Sequence, residues 1–343
     1  MHGAGWDRVS RRAWWARAGA GLVAVAVTSA CSAPFDFNRD EALAAETPAP
    51  AAPPSEPAVV PTATTAPPLV VDGAAVTSTG VVVPVLGTAP DGWVVGTPCG
   101  RTATVRSLRA LTGTVVLDPG HGGRETGAVG PLGNKESDLN LAVASYAQRA
   151  LEAAGIQAVP TRTEDYRMAI TARASVVKAV KPKAVVSIHH NSVPSHTQGT
   201  PGTEIFHQGV GASAAESRRL AGLVYEEVTA VLSRLEVADW AATPRPGAKP
   251  RLNSEGDDFY GILRRTQGTP TALAELGFVS HRAEERKYSE PSVQQQVGEA
   301  VARGVVRFLT TGDPGSGFVT PPQLADDDRV SGGTANCQDP PLG

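Results

Sequence analysis

The chain has three cysteines, and their spacing fits no zinc-cluster pattern, so a thiolate metal knuckle is excluded. A basic excess is missing too: 31 Lys and Arg against 34 Asp and Glu give a formal net charge of -3. Nucleic acid is therefore not an expected partner. No apolar run reaches the roughly 20 residues of a membrane-spanning helix. The absence of an internal repeat sets aside solenoids and arrays. What remains, for 343 residues, is one enzyme-sized domain with appendages.

The N-terminus has a basic front (Arg8, Arg11, Arg12, Arg17), then "AGAGLVAVAVTSA", then Cys31. This is the pattern of a secretory signal over residues 1–30. The small and β-branched residues of "VTSAC" resemble a bacterial lipoprotein signal with Cys31 as lipid acceptor, with Thr28 where leucine is more usual. An ordinary signal cut near Cys31 is the alternative. Residues 31–76 form a Pro/Ala-rich linker, densest in "ETPAPAAPPSEPAVVPTATTAPP", which favours an extended, semi-rigid stalk. Lipidation of Cys31 leaves Cys99 and Cys337 as an even pair in an oxidising compartment, so a disulfide between them is expected.

Residues 77–110 predict a small β appendage, with two β-branched runs turning at Pro90, Asp91 and Gly92. Too small to be stable alone, it is expected to pack on the main domain. Residues 111–310 alternate short apolar runs with amphipathic helices. Strands are expected at 114–118, 156–160, 184–188, 203–207 and 271–276. Helices are expected at 138–154, capped by Ser137 or Asp138, and at 167–180, 214–235 and 291–309. The fold class is α/β: a single catalytic domain with a twisted, mostly parallel sheet flanked by helices on both faces. Residues 311–343 lack periodicity and are expected to form a loose tail.

In an open α/β sheet, ligands bind beyond the carboxyl ends of the strands. "VVLDPGH" ends at His121, "AVVSIH" at His189, and "TALAE" at Glu275, while Glu136 precedes the capped helix in a loop crossing the same rim. Two histidines and a carboxylate make an open zinc set with water as fourth ligand, and Glu275 is then free to move protons. The plain alternative is that His121, set among glycines, is a loop residue, and spacing alone leaves both readings open.

The segments "VVLDPGHGG", "GNKESDLNLAVA", "VPTR", "VVSIHHN", "GTEIFH" and "TALAELGFVS" follow one another in this order. From about Thr114 to Leu309 the chain thereby resembles zinc-dependent N-acetylmuramoyl-L-alanine amidases of the Amidase_3 type, and it looks like an actinobacterial member. The resemblance implies zinc ligands His121, Glu136 and His189 and a catalytic Glu275. It implies cleavage of the amide between N-acetylmuramic acid and the first L-alanine of the peptidoglycan stem peptide. Glycan and stem peptide are the implied partners, and the cell-wall space at the outer face of the cytoplasmic membrane the implied location. His190 follows His189 on a strand and faces the other way, so it is expected to pack or line the rim.

Candidate substrate contacts are Asn191, His207, Arg251 and Asn253, with Tyr260 beside them. Arg162 is expected in a structural salt bridge and His196 in an exposed loop, and His281 replaces an asparagine common in the family. The short loops after His189 and His207 leave no room for a helix blocking the groove, so no protein activator is expected. Two rivals stay open: a non-catalytic amidase-like module binding peptidoglycan or a regulator, and a zinc peptidase or deacetylase. Cys31→Ala is expected to move the protein from the membrane fraction to the soluble exported fraction, read by immunoblotting. Unchanged partition would exclude the lipid anchor.

Overall fold

The computed structural model describes residues 69–193, 202–235, 246–325 and 332–343. The signal segment, Cys31, the linker up to residue 68 and His196 lie outside the described residues. All the described residues belong to one unit, Ala63–Gly343.

Valine-rich segments separated by tight turns build a first sheet of five antiparallel strands. They are β1 (Ala74–Thr77), β2 (Val82–Ala89), β3 (Gly92–Gly96), β4 (Thr102–Val105) and β5 (Leu108–Leu111), in the order β4-β3-β2-β1-β5. The expected hairpin at Pro90 and Asp91 joins β2 to β3. The sheet starts at Ala74, so the last residues given to the linker are its first strand. That strand is fully buried and too short for its alternation to stand out from the proline-rich text before it.

The second sheet holds β6 (Val115–Pro119), β7 (Ala158–Pro160), β8 (Ala184–Asn191), β9 (Glu204–His207), β10 (Gly247–Lys249) and β12 (Thr271–Phe278) in the order β10-β9-β12-β8-β6-β7. Between β10 and β12 lies the short strand β11 (Arg251–Leu252), which pairs outside this sheet with β13 (Gln323–Leu324). Pairing is parallel except between β12 and β9. The side chains alternate by face, as strand geometry requires. Val115, Leu117, Val186, Ile188, Ala272 and Ala274 enter one cluster with helices α1 (Glu136–Ala153), α3 (Ala214–Leu232) and α6 (Pro291–Thr310). Val116 and Val185 face the other way, onto α2 (Ile170–Val180). On that same side Leu273 meets the short helix α4 (Gly261–Arg265). Helix α5 (Arg282–Tyr288) follows β12 and puts Tyr288 into the first cluster. Helices therefore cover both faces. Val82 joins the α2 cluster, which fixes the first sheet against the second.

The C-terminal segment is docked rather than loose. Phe318 bridges to Ala248, with the Arg218 guanidinium 3.4 Å from its ring centre. Cys337 is bonded to Cys99, Asp339 accepts from Arg101, and Leu342 packs on the first sheet. These contacts join distant stretches of chain, so no local pattern announces them.

Helices α1 and α6 approach closely at Gly298, where a Cβ would lie 2.6 Å from Tyr146 Cβ and 2.7 Å from the Val143 carbonyl. Gly298→Val is expected to cost about 1–3 kcal/mol by forcing the helices apart. A thermal melt indistinguishable from wild type would contradict this packing.

Candidate metal centre

Strand β6 leaves the sheet through Gly120 and His121. His121 has φ 59°, a left-handed conformation that a β-carbon resists, so something must hold it. Two buried guanidinium groups supply the hold. Arg162 donates to the carbonyls of Pro119 (3.0 Å), Gly120 (2.9 Å) and Ser137 (2.7 Å). Arg173 donates to those of Pro119 (2.6 Å), His121 (2.6 Å) and Met168 (3.0 Å). Asp118 is the counter-ion, 2.7 Å from Arg173, and accepts from Thr161 and Ser187. Burial works to raise the Asp118 carboxyl, but Arg173 and these hydrogen bonds outweigh it and hold it below its usual range. Gly120 is required for space: a Cβ there would stand 2.1 Å from His189 Cε1.

Glu136 opens α1. Its loop is pinned by Glu285 of α5, which accepts from the backbone of Leu132 (2.7 Å) and Asn134 (3.0 Å). Lys135 takes the N-cap position without a side-chain cap, two or three residues earlier than Ser137 or Asp138 would place it. Glu136 Oε1 then lies 3.1 Å from His121 Nε2 and 3.0 Å from His189 Nδ1. Among the described residues, His121, Glu136 and His189 form the group able to hold a metal ion, with donor atoms all within 4.8 Å of one another. Two imidazole nitrogens and a carboxylate oxygen suit zinc as a donor set. Burial opposes ionisation of Glu136, but hydrogen bonds and charge from the two histidines keep its carboxyl well below the usual range. Burial would lower His121, yet Glu125 and Glu136 raise it to about 9. Burial lowers His189.

Glu275 stands beside His189 in the parallel register of β12 and β8. One extra residue in β12 before Phe278 makes a bulge there, a device that re-aims side chains at strand ends. Glu275 is buried, and its Oε2 has no protein hydrogen-bond partner. Burial, then the charges of Glu136 and Glu204, push its carboxyl well above the usual range. One carboxyl is pushed toward ionisation and its neighbour toward holding a proton, the pattern of divided acid-base roles.

A family model described as N-acetylmuramoyl-L-alanine amidase matches residues 115–307. The chain belongs to this amidase family. It is 32% identical over 192 residues to the uncharacterized protein YqiI of Bacillus subtilis, covering 56% of this chain and 82% of that one. To the N-acetylmuramoyl-L-alanine amidase AmiC of Neisseria meningitidis it is 28% identical over 219 residues, 57% of this chain and 53% of AmiC. Among solved structures it is similar to Cwp6 from Clostridium difficile, with TM-score 0.51 and 25% identity over 58% of this chain and 30% of that one. The chain thus spans about half the length of AmiC and less of Cwp6.

Within this amidase domain, other expected site residues lie elsewhere. His207 ends β9, which runs antiparallel to β12 and puts it opposite Ala272, three residues from Glu275. The strand that begins with Glu204 therefore brings Glu204, not His207, to the site. His207 is buried, donates from Nδ1 to the Gln208 carbonyl, and is lowered to about 4 by burial. Asn191 donates from its amide nitrogen to Glu204 (2.7 Å) and accepts from Ser192 N at Oδ1, so it fixes the strand neighbour. Lys249 pairs with the other Glu204 oxygen. Asn253 caps its own turn, accepting from Glu255 N and Asp257 N. Arg251 remains near the centre: it stacks on Phe259, donates to Tyr260, and is among the charges acting on Glu275. Arg162 holds carbonyls and makes no salt bridge among the described residues. His190 faces away from the metal group, with Nδ1 2.8 Å from Asn140 Oδ1 and its ring against Tyr288. His281 caps α5. Glu125, Arg173 and Glu285 were missed; "GHGGRE" does place an acid four residues after His121, but nothing local ties the other two to the site.

Arg173→Met strands the buried Asp118 carboxylate and is expected to cost about 3–5 kcal/mol at pH 7 in denaturant unfolding. Asp118 titrates below its unfolded value, so in wild type its contribution is present above that value and is lost as pH falls through the folded one. The variant's deficit should therefore narrow below about pH 4. A deficit independent of pH would show that the carbonyl bonds alone carry the effect.

Proposed function

We propose that the chain is a zinc-dependent hydrolase of the amide between N-acetylmuramic acid and the L-alanine of the peptidoglycan stem peptide. The observation carrying this reading is the three-donor group with a raised, unpartnered carboxyl of Glu275 beside it. His121, Glu136 and His189 would hold the ion. When bound, zinc supplies Lewis-acid polarisation of the scissile carbonyl and eases ionisation of the attacking water. Glu275 takes the proton from that water and delivers it to the departing L-alanine nitrogen, so the C–N bond breaks with its charge neutralised. Its raised affinity for protons suits the second half of that cycle, and the buried wall around it excludes bulk solvent.

Export and lipid attachment at Cys31 belong to the same reading, with the enzyme on a stalk facing the wall. A bonded Cys99 and Cys337 fits an oxidising compartment. Among the described residues no helix is long and apolar enough to cross a membrane. Activity without a protein activator is part of the proposal, since β9 reaches α3 through a short loop with no inserted helix. Much of the loop after His189 falls outside the described residues.

Purified protein with zinc and muropeptides is expected to release stem peptide beginning with L-alanine, identified by mass spectrometry. Chelation should abolish release and added zinc restore it. Glu275→Ala should lower kcat about 10²- to 10⁴-fold while zinc stays bound. Cleavage inside the peptide, or none, would overturn the assignment.

A further inference from the structure

Arg167, just before α2, donates from each of its three guanidinium nitrogens to this chain. Nε donates to Glu125 Oε2 at 2.9 Å, Nη1 to the Ala335 carbonyl at 2.7 Å, and Nη2 to the Gly333 carbonyl at 2.8 Å. Glu125 Oε1 in turn lies 3.3 Å from His121 Nδ1, opposite the Nε2 that faces Glu136. A carboxylate on the far nitrogen fixes the tautomer and ring plane of a metal-binding histidine. The planar fork of Arg167 lets two fixed carbonyls dictate where its Nε points.

Those carbonyls belong to the C-terminal segment. It is fastened by the Cys99–Cys337 disulfide, by Asp339 accepting from Cys99 N (2.7 Å) and Arg101 (2.6 Å), and by Ile170 N donating to the Gly332 carbonyl (2.9 Å). The Arg101–Asp339 pair is largely exposed on its arginine side, and exposed pairs of this kind contribute little. The covalent bond is the strong fastening. Gly333 and Ala335 lie beyond the span that matches the amidase family, whereas Arg167, Glu125 and His121 lie inside it.

We propose that the disulfide-held C-terminal segment is a positioning element of the metal centre, acting through Arg167 and Glu125 on His121. Opening the disulfide frees Gly333 and Ala335, Arg167 loses its direction, and His121 loses the partner that presents Nε2. Metal affinity is thereby tied to the oxidation state of a bond outside the catalytic sheet. This rests on the zinc reading above.

The test is zinc affinity of the full-length protein, by competition with a chelating dye, alongside thermal melts. Oxidised wild type is the control; if it binds no zinc, the zinc reading and this proposal fall together. Given binding, Arg167→Met and the pair Cys99→Ser/Cys337→Ser are each expected to weaken zinc about 10- to 100-fold. Combining them should add no further step, because both break one chain of contacts. Arg167→Lys, lacking the fork, should recover only part. Affinity within twofold of wild type in either folded variant, or full additivity, overturns the proposal and leaves the zinc reading intact. Should the serine pair not fold, zinc release from folded wild type is followed before and after phosphine reduction. Release at least tenfold faster, absent in Arg167→Met, is expected, and an unchanged rate overturns it.

Discussion

The metal centre depends on how the chain leaves β6. Pro119, Gly120 and His121 present three carbonyls in a row to two buried arginines, and this fixes a histidine in left-handed backbone geometry. That geometry costs about 1–2 kcal/mol, and each hydrogen bond from a charged donor offsets about 1.5–3. The balance favours the bend, provided both cations stay satisfied. Arg162 and Arg173 stand close enough that burial and mutual repulsion lower Arg162 to about 10, and Asp118 supplies the counter-charge. The aspartate of "VVLDPGH" is thus structural, one layer below the histidine it precedes.

With that bend in place, the remaining chemistry follows from strand register. Parallel pairing of β6, β8 and β12 stacks Asp118 with Ser187 and His189 with Glu275, one residue pair above the other. Reversal of β9 sets Glu204 opposite Glu275. Lys249 and Asn191 hold the two oxygens of Glu204, while burial, then the charges of Glu136 and Glu204, push the Glu275 carboxyl upward. Glu136, held by two imidazoles at the start of a helix whose dipole favours an anion, is driven the opposite way.

Much of this was legible in the sequence because it is local. Strand ends place His121, His189 and Glu275, and the loop before the helix expected at 138–154 brings Glu136 to the same rim, although Glu136 proves to be the first residue of that helix. Helices on both faces follow from strand–helix alternation. What was not legible is strand direction and long-range docking. Nothing in "GTEIFH" states that the strand runs backwards, so His207 looked like a rim residue when Glu204 is the one delivered. Arginine carries no label for a carbonyl partner as against a carboxylate, hence the misread Arg162. Around His121 the backbone takes positive φ at the histidine itself as well as at Gly122 and Gly123, while Gly120 provides clearance for His189.

The span matched by the family, 115–307, leaves out the five-stranded sheet and the C-terminal segment, yet both contact it: Val82 packs into the α2 cluster, Gly332 accepts from Ile170, and Gly333 and Ala335 accept from Arg167, while the disulfide ties the two flanking elements together. Tyr166 makes the same point from the other side: its hydroxyl accepts from Val82 N of the first sheet, while its carbonyl lies so near Gly122 that a Cβ there would approach within 2.2 Å. The stretch 161–173 therefore carries Arg162, Tyr166, Arg167 and Arg173, each touching either the histidine loop or the flanking elements. A segment so placed ties the histidine loop to both flanking elements at once. The appendages are consequently part of what sets the geometry of His121, although no donor atom of the metal group comes from them.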